Sequence, residues 1–102
     1  MQHVAQTPYL LAVRGHVQPG KAAEFAQIWK DFIGARATQM PELQHAYYVA
    51  DQATHSTLAV FLWSAKPDEA QWGRVMQDFE PQIRDLGAGS ASVEWYEVLQ
   101  QI

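Results

Sequence analysis

The stretch that decides the fold is TLAVFLWSAKPDEAQWGRVMQDF, residues 57–79. Its first part, Leu58–Trp63, is an unbroken apolar run whose length suits a strand buried on both faces. Ser64–Pro67 ends that run, and Asp68 and Glu69 then place negative charge where the dipole of a helix favours it. The sequence therefore predicts a central strand that leads directly into a helix.

The predicted helix carries a single apolar stripe. Large apolar side chains recur at spacings of three and four residues, which places them on one side of an α-helix. They are Trp72, Val75, Met76, Phe79 and Ile83. Because this stripe has to be buried, the helix must fold back on a sheet, and Trp63 and Trp72 bracket the turn between strand and helix.

The other segments complete a βαββαβ order. Further strands are predicted over Tyr9–Val17, Leu43–Ala50 and Ser92–Leu99, and a first helix over Lys21 to about Gln39. A polar turn over residues 51–56 makes the second and third strands a hairpin. Pro81 is expected to kink or split the second helix. We expect an α+β fold of the ferredoxin-like plan, with a four-stranded antiparallel sheet and the acidic fourth strand at its edge. Residues 1–8 would form an N-terminal arm and residues 9–102 the domain.

The first helix also has one apolar side, formed by Phe25, Ile28, Trp29 and Phe32. Arg36 falls on the same line near the end of this helix. Two interpretations stay open: the cation interacts with the C-terminal end of the helix dipole, or it points into the mouth of a cavity.

Two helices can cover only one face of a four-stranded sheet. Strand alternation sends Val13, Ala59, Phe61 and Trp63 toward the helices. The opposite face would carry Leu10, Ala12, Leu58, Val60 and Leu62, which is too apolar to leave in water. A second copy related by a twofold axis is the simplest cover, so we expect a homodimer. Arg14 shares this outer face with His16, and Glu94 or Glu97 could supply a carboxylate partner for it. We interpret this pair as part of the interface, with a catalytic pair as the alternative.

Composition excludes several classes of function. The chain has 102 residues, of which 48% are apolar, enough for one domain with a dense core. Its net charge of −4 argues against nucleic-acid binding, and the absence of cysteine excludes disulfides and thiolate chemistry. The four histidines lack metal-ligand spacing. Neither a signal peptide nor a membrane span is evident, so a cytoplasmic location is expected.

Several segments resemble one family closely enough to name it. A first strand ending in QPGKAAEF, a helix, a second strand led by a proline, and FLWSAKPDEAQW follow one another over Tyr9–Leu99. This pattern resembles the antibiotic biosynthesis monooxygenase (ABM) domains of the dimeric α+β barrel superfamily. In that family a Trp ends the third strand and a His or Trp follows nine residues later, as Trp63 and Trp72 do here. The resemblance implies a dimeric α+β barrel.

The family's functional residues carry over only in part. Haem-degrading members resemble the chain at Trp72, but their Asn and His correspond to Val13 and about Gln82, so no haem is expected. Polyketide-oxidising members are similar at Trp63, but their Asn corresponds to Ala59, and the chain contains no asparagine. Arg84 lies near the position of their later Arg. The resemblance therefore implies Trp63, Trp72 and Arg84 as candidate catalytic residues, with no cofactor and no metal.

The expected substrate pocket lies between sheet and helices. Its predicted members are Val13, Phe25, Trp29, Ala59, Phe61, Trp63, Trp72, Met76 and Phe79. Trp63 and Trp72 either form a wall for a ligand or plug the end of the core. Arg36, Arg84 and His45 are the nearby polar candidates, whereas Tyr47, Tyr48 and Tyr96 are interpreted as ordinary strand aromatics.

Two functions follow as alternatives. One is a cofactor-independent monooxygenase for a small electron-rich aromatic such as a quinol or an anthrone. In that chemistry the substrate carbanion reduces oxygen itself, and the protein supplies a dry pocket, a base and orientation. The other is a non-catalytic module on the same scaffold, for binding a small molecule or for dimerisation.

Overall fold

The predicted βαββαβ order is confirmed. The computed structural model describes residues 7–87, 89 and 91–102. The strands are β1 (Tyr9–His16), β2 (Leu43–Asp51), β3 (Ser56–Trp63) and β4 (Ser92–Glu97), and the helices are α1 (Ala22–Arg36) and α2 (Glu69–Ile83). Most of the predicted N-terminal arm lies outside the described residues.

The four strands form one antiparallel sheet in the order β2-β3-β1-β4. β1 and β3 lie in the centre, and β4 is an edge strand, as its acidic composition predicts. The register pairs Leu11 with Phe61 and Val13 with Ala59. Paired residues share a face of a sheet, so these four side chains all point toward the helices.

The core lies between this face and the two helices. Leu11, Phe61 and Trp63 are at most 1% exposed. The helices contribute buried aromatic residues from their apolar sides: Phe25 and Phe32 from α1, and Trp72 and Phe79 from α2. The face assignments made from strand alternation are therefore confirmed.

The ends of α2 follow from its sequence, with one exception. The Asp68 side chain accepts hydrogen bonds from the backbone N–H groups of Ala70, at 2.8 Å, and Gln71, at 3.3 Å, which caps the first turn. The predicted split at Pro81 is wrong, since α2 continues through this residue to Ile83. The helix continues although Pro81 has no N–H to donate to the carbonyl group of Gln77, so this gap in the hydrogen bonding is tolerated within the last turn.

The first helix ends earlier than predicted. α1 stops at Arg36, and residues Ala37–Gln39 continue as one turn of 3₁₀-helix, a common way to tighten a helix terminus. Each of the two helices has 15 residues. In the described part of the chain, no helix is long and apolar enough to cross a membrane.

The outer face of the sheet carries an apolar strip that no described element of the chain covers. Leu10, Val60 and Leu62 lie at its centre, and Tyr47 and Val49 on β2 are 58% and 50% exposed. The predicted pairing of Arg14 with Glu94 occurs on this face, with 2.6 Å between Nε and Oε1. An apolar strip with one ion pair is what a twofold-related copy would cover.

Val60→Asp is expected to prevent dimer formation, because the change would bury an unpaired carboxylate between two sheets. Size-exclusion chromatography with light scattering should give a homodimer for the wild-type protein and monomer or aggregate for the variant. Ala23→Asp adds the same charge at an exposed position of α1 and should remain a dimer. A soluble Val60→Asp dimer would contradict this arrangement.

Candidate functional site

A cavity of about 240 Å³ lies between the sheet and the two helices. It is found toward the end of the sheet where Gly15 of β1 pairs with Thr57 of β3. Seven of the nine predicted pocket residues line it: Val13, Phe25, Trp29, Ala59, Phe61, Met76 and Phe79. Trp63 and Trp72 are not among its lining residues. We refer to this space as the aromatic cavity.

Small residues on one side of the aromatic cavity leave the space open. Gly15, Ala59 and Ala91 contribute almost no side chain to its wall. A Cβ placed on Gly15 would lie 3.4 Å from Thr57 Oγ1 and 3.7 Å from the Ala91 Cβ, so even a methyl group would fill the gap between them. The aromatic cavity therefore stays open because Gly15, Ala59 and Ala91 have little or no side chain.

Stacked aromatic rings form the other side. The rings of Phe25 and Tyr48 are nearly parallel, at 9°, with centroids 5.0 Å apart. Trp29 contacts the Tyr48 ring at 5.8 Å and the Phe61 ring at 5.7 Å. Phe79 meets Phe25 edge to face at 6.0 Å. Because each ring is held by at least one other, this wall presents a preformed apolar surface to a flat ligand.

Trp63 and Trp72 fill the opposite end of the core. Their rings meet edge to face at 5.2 Å, and Trp72 also contacts Phe61 at 4.8 Å. Trp63 is 1% exposed and Trp72 is 5% exposed. No ligand-sized space separates the two indoles, so their geometry is that of the core plug and not of a wall facing the aromatic cavity.

A smaller cavity of about 140 Å³ lies on the other side of this plug. It is lined by Trp63 and Trp72 together with mostly polar residues, among them Glu42, Lys66 and Asp68. The Trp63 Nε1 is buried and finds no hydrogen-bond acceptor among the described residues. The size and polarity of this cavity suit ordered water molecules that would satisfy the indole N–H.

The polar lining of the aromatic cavity is sparse. Of the described lining residues, only Trp29, His16, Tyr48, Thr57 and Glu80 have side chains with hydrogen-bonding groups, and the Trp29 group is a single indole N–H. Glu80 is already paired, because Arg84 donates to its two carboxylate oxygens at 2.7 Å and 3.1 Å. The hydrogen bond from Arg84 is the main cause that lowers the pKa of Glu80. Glu80 is therefore an ionised, solvent-exposed group that borders the cavity.

Tyr48 differs from the other polar residues of the lining. Its hydroxyl group is buried and has no hydrogen-bond partner among residues 7–87, 89 and 91–102. Burial raises its pKa, so the group is a neutral phenol at physiological pH. The Thr57 hydroxyl opposes this shift, but the two groups do not reach hydrogen-bond geometry. The sequence interpretation of Tyr48 as an ordinary strand aromatic missed this feature.

The other predicted polar candidates lie away from the aromatic cavity. Arg84 has an exposed side chain paired with Glu80, and His45 shares the outer face of the sheet with its partner Leu62. Arg36 lies over the Phe32 ring at 3.5 Å and donates to the Phe32 carbonyl oxygen at 3.2 Å. Its geometry is that of a cation at a helix C-terminus. In the described part of the chain, no cluster of three or more His, Asp or Glu residues could hold a metal ion.

Comparison with known structures identifies the same fold in ABM proteins. An ABM protein provisionally assigned in Nitrosomonas europaea superposes with a TM-score of 0.74 over 96% of each chain at 12% identity. An ABM protein from Caulobacter crescentus, also provisionally assigned, superposes with a TM-score of 0.72. The match covers 94% of this chain and 93% of the other, at 15% identity. SnoaB, a cofactor-independent oxygenase from Streptomyces nogalater, superposes with a TM-score of 0.68. The match covers 93% of this chain and 96% of SnoaB, at 15% identity.

The resemblance drawn from the sequence is thus confirmed at the level of the fold. No protein-family model matches the chain, and no curated protein sequence matches it either. Since one fold can host many activities, function must be argued from the aromatic cavity itself.

Trp72→Ala is expected to lower the free energy of unfolding by about 3–5 kcal/mol, because it removes a buried indole from a packed cluster. Chemical denaturation followed by circular dichroism measures this loss. Trp95→Ala makes the same truncation at a half-buried position of edge strand β4 and should cost less. A loss at Trp72 no larger than that at Trp95 would contradict the plug.

Proposed function

We propose that the protein is a cofactor-independent monooxygenase for a small electron-rich aromatic molecule, such as a quinol or an anthrone. The observation that carries this proposal is the aromatic cavity, an apolar space of about 240 Å³ between sheet and helices. An engineered apolar cavity of about 150 Å³ holds benzene, so this one has room for a larger ring system. Its stacked walls suit a flat ligand.

The proposed reaction places few demands on the protein. In an anthrone, the methylene carbon between the two aromatic rings loses a proton, and the resulting carbanion reduces molecular oxygen. One oxygen atom is retained as a new carbonyl group, and the other leaves as water with the two hydrogens of that carbon. A dry cavity favours this sequence because it excludes water from the reactive carbanion. The fold that the chain shares with SnoaB, a cofactor-independent oxygenase, supports the proposal.

A second candidate is a non-catalytic binding module on the same scaffold. One observation favours it: the described lining offers no buried, unpaired carboxylate or lysine that could remove a proton. Tyr48 is neutral, and Glu80 is held by Arg84 with its pKa lowered, which makes it a weaker base. Under this alternative the cavity would bind an aromatic molecule and release it unchanged.

Anthrone and 2-naphthol are suitable probes for both candidates. Each should quench tryptophan fluorescence saturably, because Trp29 lies in the cavity wall. An oxygen electrode should then register consumption with anthrone, with no metal, flavin or haem added, and chromatography should detect anthraquinone. Binding without oxygen consumption would favour the binding module, and the absence of binding would rule out both functions in this cavity.

Ala59→Leu is expected to weaken binding of both probes at least tenfold, because the longer side chain would fill space beside Phe61. Fluorescence titration measures the change. Ala46→Leu makes the same substitution on the helix-facing side of β2, at a residue that does not line the aromatic cavity. Equal effects of the two variants would show that ligands bind elsewhere.

A further inference from the structure

Among the described residues that line the aromatic cavity, Tyr48 is the one whose side chain has a buried polar atom without a hydrogen-bond partner. Tyr48 lines the cavity, and its Oη is buried without a partner among the described residues. A buried hydroxyl that makes no hydrogen bond is costly, and most such groups in folded proteins are satisfied by protein, water or ligand. Its partner is therefore to be sought in the cavity beside it.

The ring that carries this hydroxyl has little freedom to turn away. Phe25 stacks on the Tyr48 ring at 5.0 Å, and Trp29 contacts it at 5.8 Å. The backbone is held as well, since Tyr48 pairs with Ala59 in the ladder between β2 and β3. A polar group on a ring held from several sides keeps its direction, which is the condition for orienting a ligand at low entropic cost.

The remaining lining shows why a single group would set the ligand's orientation. Glu80 is occupied by Arg84, and His16 lies at the exposed end of β1. Thr57 is the one other hydroxyl of the described lining, and it opposes the raised pKa of Tyr48 from the same wall. The two hydroxyl groups of the described lining are thus those of Tyr48 and Thr57, and that of Tyr48 is the buried one without a partner.

We infer that Tyr48 is the positioning residue of the aromatic cavity, and that its hydroxyl hydrogen-bonds the phenolic or ketone oxygen of the ligand. This inference rests on the proposed function, in either its catalytic or its binding form, and narrows the ligand class. The ligand is a flat aromatic molecule with one oxygen on the edge that faces β2, while its other edges contact Phe25, Phe61 and Phe79. A hydrocarbon of the same shape would bind without this orientation.

Two ligands that differ in a single group test the inference. The first is 2-naphthol, and the second is 2-methylnaphthalene, in which a methyl group replaces the hydroxyl. Tyr48→Phe should weaken binding of 2-naphthol by about 2- to 13-fold, the range that one net hydrogen bond supplies. Binding of 2-methylnaphthalene should stay unchanged. Ligand-observed NMR titration measures both affinities.

Tyr47→Phe is the matched control, because it removes the same hydroxyl from the neighbouring residue on the outer face of the sheet. It should change neither affinity. The inference is overturned if Tyr48→Phe leaves 2-naphthol binding unchanged, or if it weakens both ligands equally. If neither ligand binds the wild-type protein, the proposed function and this inference are both overturned. If the wild-type protein binds the ligands and only the response to Tyr48→Phe differs from expectation, the inference alone is overturned.

The unfolding midpoint of the ligand-free protein gives an independent readout. Removing an unpartnered buried hydroxyl should leave the thermal midpoint of Tyr48→Phe equal to that of the wild type or higher. A clear decrease, or failure of the variant to fold, would mean that the hydroxyl is already paired inside the protein. That result would also overturn the inference.

Discussion

The antiparallel pairing of β1 with β3 is the contact on which the rest of the structure depends. It sets Leu11 against Phe61 and Val13 against Ala59 in the middle of the sheet. Because side chains alternate along a strand, this register also places Leu10, Val60 and Leu62 together on the opposite face. A shift by one residue would exchange the two sets and expose the core. One register therefore defines both the wall of the aromatic cavity and the uncovered outer face.

Within the core, the location of the cavity follows from where bulk is placed along β1 and β3. Trp63 stands at one end of the sheet and packs against Trp72 and Phe61, and each such aromatic contact contributes about 0.5–1.5 kcal/mol beyond the burial of area. At the other end, Gly15 and Ala59 supply almost no volume. The helices span both ends, so the aromatic cavity lies where the strands carry small residues.

The chain combines a shared fold with a site of its own. Its similarity to ABM proteins covers nearly the whole chain at 12–15% identity. Ala59 stands where the resemblance aligns an Asn of the polyketide-oxidising members, and Arg84 has an exposed side chain that pairs with Glu80. The buried polar group without a partner at the cavity is instead that of Tyr48, on a different strand. A fold fixes where a cavity can form, whereas individual side chains decide what that cavity can bind.

The sequence by itself determined the order of the elements, the edge position of β4, the two faces of the sheet and most of the cavity wall. The edge position follows from the acidic composition of β4. The faces and the cavity wall follow from local periodicity, since a period of two or of 3.6 assigns each side chain to a face without knowledge of its neighbours. Pro81 shows the limit of a local rule, because α2 continues through it despite the helical hydrogen bond that a proline removes.

Only the tertiary structure decided where the empty space lies and which polar group borders it. The nine-residue spacing of Trp63 and Trp72 predicted that they would be close, but not that they would fill the volume between them. The alternation of β2 could have placed Tyr48 on the inner face, yet its stacking on Phe25 joins residues far apart in the chain. A cavity is the volume left between such distant side chains, so no local pattern in the sequence can specify it.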